Sequence, residues 1–153
     1  MVMPDDEVEA LVHGWRLLAV LHSRIEVRLE RMLQERYKLS VNEYGVLELL
    51  SRQEKHHLRM GQLAMAMVLS QAATTRLVTR LEGRGLLARA LCDDDRRGIY
   101  TNVTAAGLAL LDQARPDHDS ILSDALDEAS RNPDLAPIVA GIRAAESQPA
   151  SCS

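Results

Sequence analysis

Positions Val8, Leu11, Trp15, Leu18, His22, Ile25, Leu29 and Met32 recur at alternating steps of three and four. All but His22 are apolar, so the spacing predicts one long helix with a heptad-like seam, ending before Lys38-Leu39-Ser40. Beyond Thr104 a second seam runs through Leu108, Leu111, His118, Ile121, Leu122, Ala125 and Ala129. Pro116 should kink or restart that helix, because proline removes a backbone donor. Asn132-Pro133 ends it, Asp134 to about Ala145 predicts a last short helix, and the tail from Glu146 reads as frayed.

Between the seams the pattern shortens. Ser40-Val41-Asn42-Glu43 is a capping box with Leu39 and Tyr44 placed as a hydrophobic staple, so a helix starts there with Val46, Leu47, Leu49 and Leu50 as its apolar face. The polar run Gln53 to His57 reads as a solvated loop, and Leu58-Arg59-Met60 as a short strand. Two helices follow, Met60 to about Met67 and, from an N-cap at Ser70, a second reaching about Arg84 before Gly85 stops it. Alternation in Leu87–Leu91 and Ile99–Val103 then predicts a hairpin whose strand also pairs with the earlier one. Its polar tip is Cys92-Asp93-Asp94-Asp95-Arg96-Arg97-Gly98. This order of elements is that of a winged helix-turn-helix: a mainly α fold with a small β-hairpin wing, flanked by N- and C-terminal dimerisation helices. The expected division is residues 1–39 and 105–153 for dimerisation and 40–104 for the winged domain.

Composition narrows the class. The chain has 153 residues, 46% of them hydrophobic, no Phe and one Trp, which suits a helical core. No apolar run approaches the ~20 residues of a membrane span and the N-terminus has no signal-like segment, so a cytoplasmic, membrane-independent protein is expected. Cys92 and Cys152 form neither a C-x-x-C pair nor a disulfide framework. The net charge of −4 conceals a local reversal: residues 1–55 sum to −2, residues 56–104 to +3 and residues 105–153 to −5. The single positive segment coincides with the helix-turn-helix pattern, which suits a double-stranded DNA partner.

Candidate chemistry follows from helical faces. At 100° per residue, Ser70, Ala73, Thr74, Leu77, Val78 and Leu81 share one side, leaving Ala72, Thr75, Arg76 and Thr79 outward with Gln71 at the edge. Arg76 can fork onto guanine, Gln71 can pair with adenine, and Ala72 or the Thr75 methyl can meet a thymine methyl. Ser70 and the helix start suit a phosphate, while Arg80 and Arg84 fit phosphate contacts or intramolecular pairs. Arg96 and Arg97 at the hairpin tip can enter a minor groove, with Asp95 pairing with a tip arginine to fix its direction. The Asp cluster lacks the glycine-punctuated spacing of a calcium loop, and His56-His57 lacks further ligands at set spacings, so no metal or other cofactor is expected. Neither a nucleophile-base set nor a phosphate-cradling glycine loop is present, which argues against an enzyme.

Burying both seams is simplest in a two-fold homodimer, with Val8, Leu11, Leu18, His22, Ile121, Leu122 and Leu126 at the interface; closure as a monomer is the alternative. His22 and His118 are candidate pH or ligand sensors, or ordinary packed histidines.

Leu39-Ser40-x-x-Glu43-Tyr44, Leu69-Ser70-Gln71-x-x-x-Thr75-Arg76-Leu77-Val78-x-Arg80-Leu81-Glu82-x-x-Gly85-Leu86-Leu87-x-Arg89, Asp94-Asp95-Arg96-Arg97-Gly98 and Val103-Thr104-x-x-Gly107 together resemble the MarR family. The resemblance implies a bacterial transcriptional regulator, a homodimer with interlocked terminal helices on a near-palindromic operator, with Arg97 in the minor groove and Asp95 supporting it. It also implies a repressor released by a small phenolic or other anionic effector, for which His13, Trp15 and Arg16 are candidate contacts. The family's peroxide sensors carry a cysteine near the start of the first helix, which this chain lacks. A winged-helix module that binds protein, or a redox-responsive regulator using Cys92, are the competing readings.

Overall fold

The computed structural model describes residues 5–92 and 95–146, the side chains of Cys92, Asp95, Arg96, Arg97 and Glu146 excepted. The elements run α1 (Asp5–Tyr37), α2 (Val41–Ser51), a 3-10 turn (Glu54–His56), β1 (His57–Arg59), α3 (Met60–Met67), α4 (Gln71–Gly83), β2 (Leu87–Cys92), β3 (Asp95–Val103), α5 (Ala105–Ser130) and α6 (Ala136–Glu146). The winged helix-turn-helix expected from the pattern is therefore present. The chain divides into two compact units, one of residues up to Leu29 with those from Asp119 onward, the other Glu30–His118. These limits fall inside α1 and α5, not at 39/40 and 104/105. The last turns of α1 and the first turns of α5 belong with the winged helix because Met32, Leu33, Leu111 and Ala114 are buried there.

Local chemistry fixes the ends of the short helices. The Ser40 hydroxyl accepts from the Glu43 N–H at 3.0 Å while the Glu43 carboxylate accepts from the Ser40 N–H at 3.1 Å, closing the capping box. Leu39 and Tyr44 are both buried as a staple requires, and the Tyr44 ring additionally stacks on His118 with centroids 4.2 Å apart. His118 is thus a packed residue of this unit. After α4, Gly85 adopts φ +72°, the Gly85 and Leu86 N–H groups return to the carbonyls of Glu82 and Leu81, and the helix closes in a left-handed cap. The same cap ends α3, but there the left-handed residue is Val68 at φ 55°.

Three expectations change. Pro116 lies inside α5 and does not restart it. Leu111 and Ala114 are buried on one side of it, and hydrogen bonds from Arg115 to Glu48 and from Tyr37 to Asp117 hold the turn on both sides of the missing donor. His57 is no loop residue: it opens β1, and its ring meets Tyr100 at 4.5 Å. The last helix starts at Ala136, two residues later than expected, after an Asn132 turn in which the Asn132 side chain accepts from the Asp134 N–H.

The sheet is antiparallel in the order β1-β3-β2. Leu87 faces Val103 and Leu58 faces Thr101, with Leu87, Thr101 and Val103 buried. Farther along the same hairpin Leu91 faces Ile99, and both are exposed. The alternation read as a buried face is therefore buried only at the base, and it emerges from the core toward the tip. In the other unit Leu21, Leu126, Ala129, Leu135 and Val139 form the core, with Leu17, Ile25, Leu122, Ile138 and Ile142 packed against it. Leu126 and Leu122, expected at a subunit interface, serve this internal core because α6 folds back onto their face of α5.

Candidate nucleic-acid interface

The α3-turn-α4 unit presents one face of α4 outward. Thr74, Leu77, Val78 and Leu81 are buried, whereas Gln71, Ala72, Thr75, Arg76, Thr79 and Arg80 are exposed, which matches the helical-face reading. Ser70 departs from it. Placed on the inner side by periodicity, it is exposed, because an N-cap residue lies outside the helical screw; its hydroxyl accepts from the Ala73 N–H at 3.1 Å. Thr74 donates its buried hydroxyl to the Ser70 carbonyl at 2.9 Å, so a polar residue sits in the core with its donor satisfied.

Two arginines fasten the C-terminal half of α4. Arg89 of β2 meets Glu82 at 2.6 Å and donates to the Thr79 hydroxyl at 2.9 Å, joining helix to hairpin. Arg84, the C-cap of α4, donates to the carbonyls of Lys38 and Tyr37 at 2.5 and 3.1 Å. Of the two roles considered for Arg84, the intramolecular one is occupied. Arg80 stays on the exposed side.

At the base of the hairpin, Arg59 lies 5.4 Å from the Tyr100 ring centre and donates through Nε to its hydroxyl at 3.2 Å. The backbone of Asp95, Arg96 and Arg97 continues β3, and a register shift between Leu91 and Cys92 accompanies the Cys92–Asp95 pairing. The expected Asp95–arginine pair, the groove contacts of Arg96 and Arg97, and any chemistry of Cys92 concern side chains outside the described ones; Asp93, Asp94 and Cys152 lie outside the described residues altogether. Among the described residues no cluster of three or more His, Cys, Asp or Glu could hold a metal ion.

The ion pairs of α5 were invisible to local patterning. Arg115 donates to Glu48 at 2.9 Å across 67 residues of sequence, and Arg52 donates to the other Glu48 oxygen at 2.5 Å. Burial alone would raise the Glu48 carboxyl, but these two guanidinium groups outweigh it and hold it below the usual glutamate range. The Tyr37 hydroxyl donates to Asp117 at 2.5 Å, and Arg36 pairs with the same oxygen at 3.1 Å. The tyrosine's hydrogen bond, then Arg36, depress the Asp117 carboxyl, while Asp117 raises the phenol of Tyr37.

His13, Trp15 and Arg16 stand on exposed surface of α1, Trp15 at 71%. None lines the cavity of about 240 Å³ in the same unit, whose walls include Leu21, Ile25, Ala125 and Leu135 with Arg24 and Arg28. Arg28 pairs with Glu128 at 2.9 Å. The i, i+4 spacing of Arg24 and Arg28 was the available signal for this cavity. Among the described residues no helix is long and apolar enough to cross a membrane.

Residues 39–99 match the model of the MarR family. Over 119 residues the chain is 29% identical to the HTH-type transcriptional regulator PecS of Dickeya dadantii, which covers 75% of this chain and 69% of PecS. It is 30% identical over 98 residues to the transcriptional repressor MprA of Escherichia coli, spanning 60% of this chain but only 56% of MprA. The MarR family regulator Sco3205 of Streptomyces coelicolor, solved in complex with DNA, superposes on the whole chain and 95% of its own length, with a TM-score of 0.74 and 26% identity. In the capped α4, the three-stranded sheet and the match over residues 39–99, the chain is similar to the MarR family of transcriptional regulators.

Proposed function

We propose that the protein is a homodimeric repressor that binds a near-palindromic DNA operator and is released by a small anionic or phenolic effector. The observation that carries DNA binding is the exposed face of α4. Gln71, Ala72, Thr75 and Arg76 stand outward on a helix whose opposite face is locked into the core, and Ser70 caps the end that would enter a major groove. Arg80 adds positive charge along the same face for phosphates, and Arg96 and Arg97, with Asp95 in support, would serve the minor groove from the hairpin.

Dimerisation is supported by surface that a single chain leaves wet. Val8, Leu11, Trp15 and Leu18 of the α1 seam are exposed together with the adjoining Val12. A contiguous apolar helix face of this kind marks an interaction surface, and two copies would set two α4 helices on successive major grooves. His22, exposed on the same seam, and Ile121 would share that interface. Repression rests on the likeness to a repressor. Effector release draws support from the cavity, where Arg24 borders apolar walls beside the Arg28–Glu128 pair, a lining that would take a small amphipathic anion through Arg24.

The test is selection of genomic fragments by the purified protein, followed by anisotropy titration of the recovered site at several salt concentrations. An inverted repeat should emerge, log affinity should fall linearly with log salt, and Arg76→Ala should relax preference at one position per half-site. Recovery of no preferred sequence, with salt-insensitive retention of protein partners instead, would favour an interaction module. Release of the bound fragment by hydroxybenzoates, lost in Arg24→Ala, would establish the effector site; release equal in wild type and variant would remove it.

A further inference from the structure

The carbonyl end of α1 is gripped by the arginine that terminates α4. Arg84 spends its guanidinium on two consecutive carbonyls, Lys38 at 2.5 Å and Tyr37 at 3.1 Å, where α1 turns through a left-handed Lys38 at φ 55°. Those carbonyls belong to the negative end of a helix of 33 residues, so a cation there is favoured by the helix dipole as well as by hydrogen bonding. Tyr37 is held in turn by α5: its hydroxyl donates to Asp117 at 2.5 Å and lies 3.0 Å from the Gln113 carbonyl, and Arg36 braces the same carboxylate. A continuous series of polar contacts thus runs from Asp117 on α5, through the last turn of α1, to the C-cap of α4. All of it lies within Glu30–His118.

We infer that Arg84, Tyr37 and Asp117 form a latch that sets the angle of α4, making Arg84 a positioning residue for DNA recognition and not a phosphate contact. The reason is leverage. Thirteen helical residues span about 20 Å, so a 5° rotation about the latched C-terminus would displace the reading end near Gln71 by about 1.7 Å. That exceeds the tolerance of a bidentate base contact. The Arg89–Glu82 pair ties α4 to the hairpin but not to α1 or α5. The latch therefore offers a polar route by which the state of the long helices reaches α4.

The inference rests on the reading of α4 as the DNA-contacting helix, so its test uses one measurement without DNA. In the DNA-free protein, amide resonances of Ala72 to Arg76 should move in Arg84→Ala and move in the same direction, less far, in Tyr37→Phe, which keeps the backbone carbonyl but releases Asp117. Operator affinity should fall about tenfold in Arg84→Ala, the worth of one misaligned base contact, with the salt slope unchanged. The double variant should be less than additive. Arg84→Lys, which keeps the charge but cannot fork onto both carbonyls, should lie between wild type and Arg84→Ala and serves if the alanine variant does not fold. Unmoved amides with a salt slope smaller by about one would make Arg84 a phosphate contact and overturn the latch. Additive losses, or wild-type behaviour of Arg84→Lys, would overturn it equally. If the wild-type protein binds no operator, the DNA reading fails while the amide shifts still decide the latch.

Discussion

Gly107 on α5 and Leu86 ahead of β2 approach so closely that a β-carbon on Gly107 would stand 2.3 Å from the Leu86 carbonyl oxygen and 2.8 Å from Val103 Cγ2. Thr104 organises the approach: its hydroxyl accepts from the Gly107 N–H at 3.1 Å and donates to the Gly85 carbonyl at 2.7 Å, while its own N–H reaches Leu86. The Thr-x-x-Gly pattern is thus the joint between the hairpin and α5. Gly107→Ala should destabilise the protein by about 1–3 kcal/mol, since the obstruction is backbone that cannot rotate away. Denaturant titration of the two proteins checks this, and an unchanged midpoint would remove the joint from the account.

Val68 carries the opposite prediction. It is a β-branched residue held at φ 55° in the turn between α3 and α4, with 89% of its surface exposed, so its side chain returns almost nothing for the strain. Val68→Gly should stabilise the fold by about 0.5–1 kcal/mol after the extra flexibility of the unfolded chain is deducted. A higher urea midpoint with the same slope is the expected result.

Acid should act through Glu48. Its carboxyl lies below the ordinary value of 4.5, so the folded state holds its proton less tightly than the unfolded state, and the Arg115 and Arg52 contacts stabilise above that value. The contribution is lost as pH falls through the depressed folded value. Asp117 behaves in the same sense, and Tyr37 in the opposite one, since its raised phenol favours folding until pH climbs through the folded value. Between about pH 6 and pH 3, Glu48→Gln should start less stable than wild type and show a flatter decline. Parallel profiles would show that the pair does not couple to folding.

The exposed seam of α1 predicts an assembly defect separable from folding. Leu11 and Trp15 are 60% and 71% exposed. Burying such a side chain contributes about 1.5–3 kcal/mol, and a two-fold dimer carries each change twice, so Leu11→Glu with Trp15→Glu should raise the dissociation constant of the proposed dimer by about four decades or more. Sedimentation equilibrium reads the mass directly. A variant that stays dimeric at micromolar concentration would place the interface elsewhere.

Sequence periodicity sufficed wherever the deciding interaction was local. The capping box at Ser40, the N-cap at Ser70, the left-handed stop at Gly85 and the outward stripe from Gln71 to Arg80 all depend on residues within one or two turns of each other, and the structure has them where the pattern placed them. The winged helix itself was legible for that reason, its elements being short and sharply punctuated.

What tertiary structure alone decided were the relations between distant residues. No spacing rule links Glu48 to Arg115, Tyr37 to Asp117, Arg84 to the end of α1, or Arg89 to Glu82 across a turn of the chain. The helix continues through Pro116 without restarting; propensity counts the lost donor but not the neighbours that hold the helix together. A seam has the same appearance whether its partner is another molecule or the same chain, and Leu126 packs with Leu135 and with Val139 of α6. Side chains of one type at one period announce that a face will be buried. Which surface buries it depends on where the chain returns, and that is settled by the packing of the whole fold.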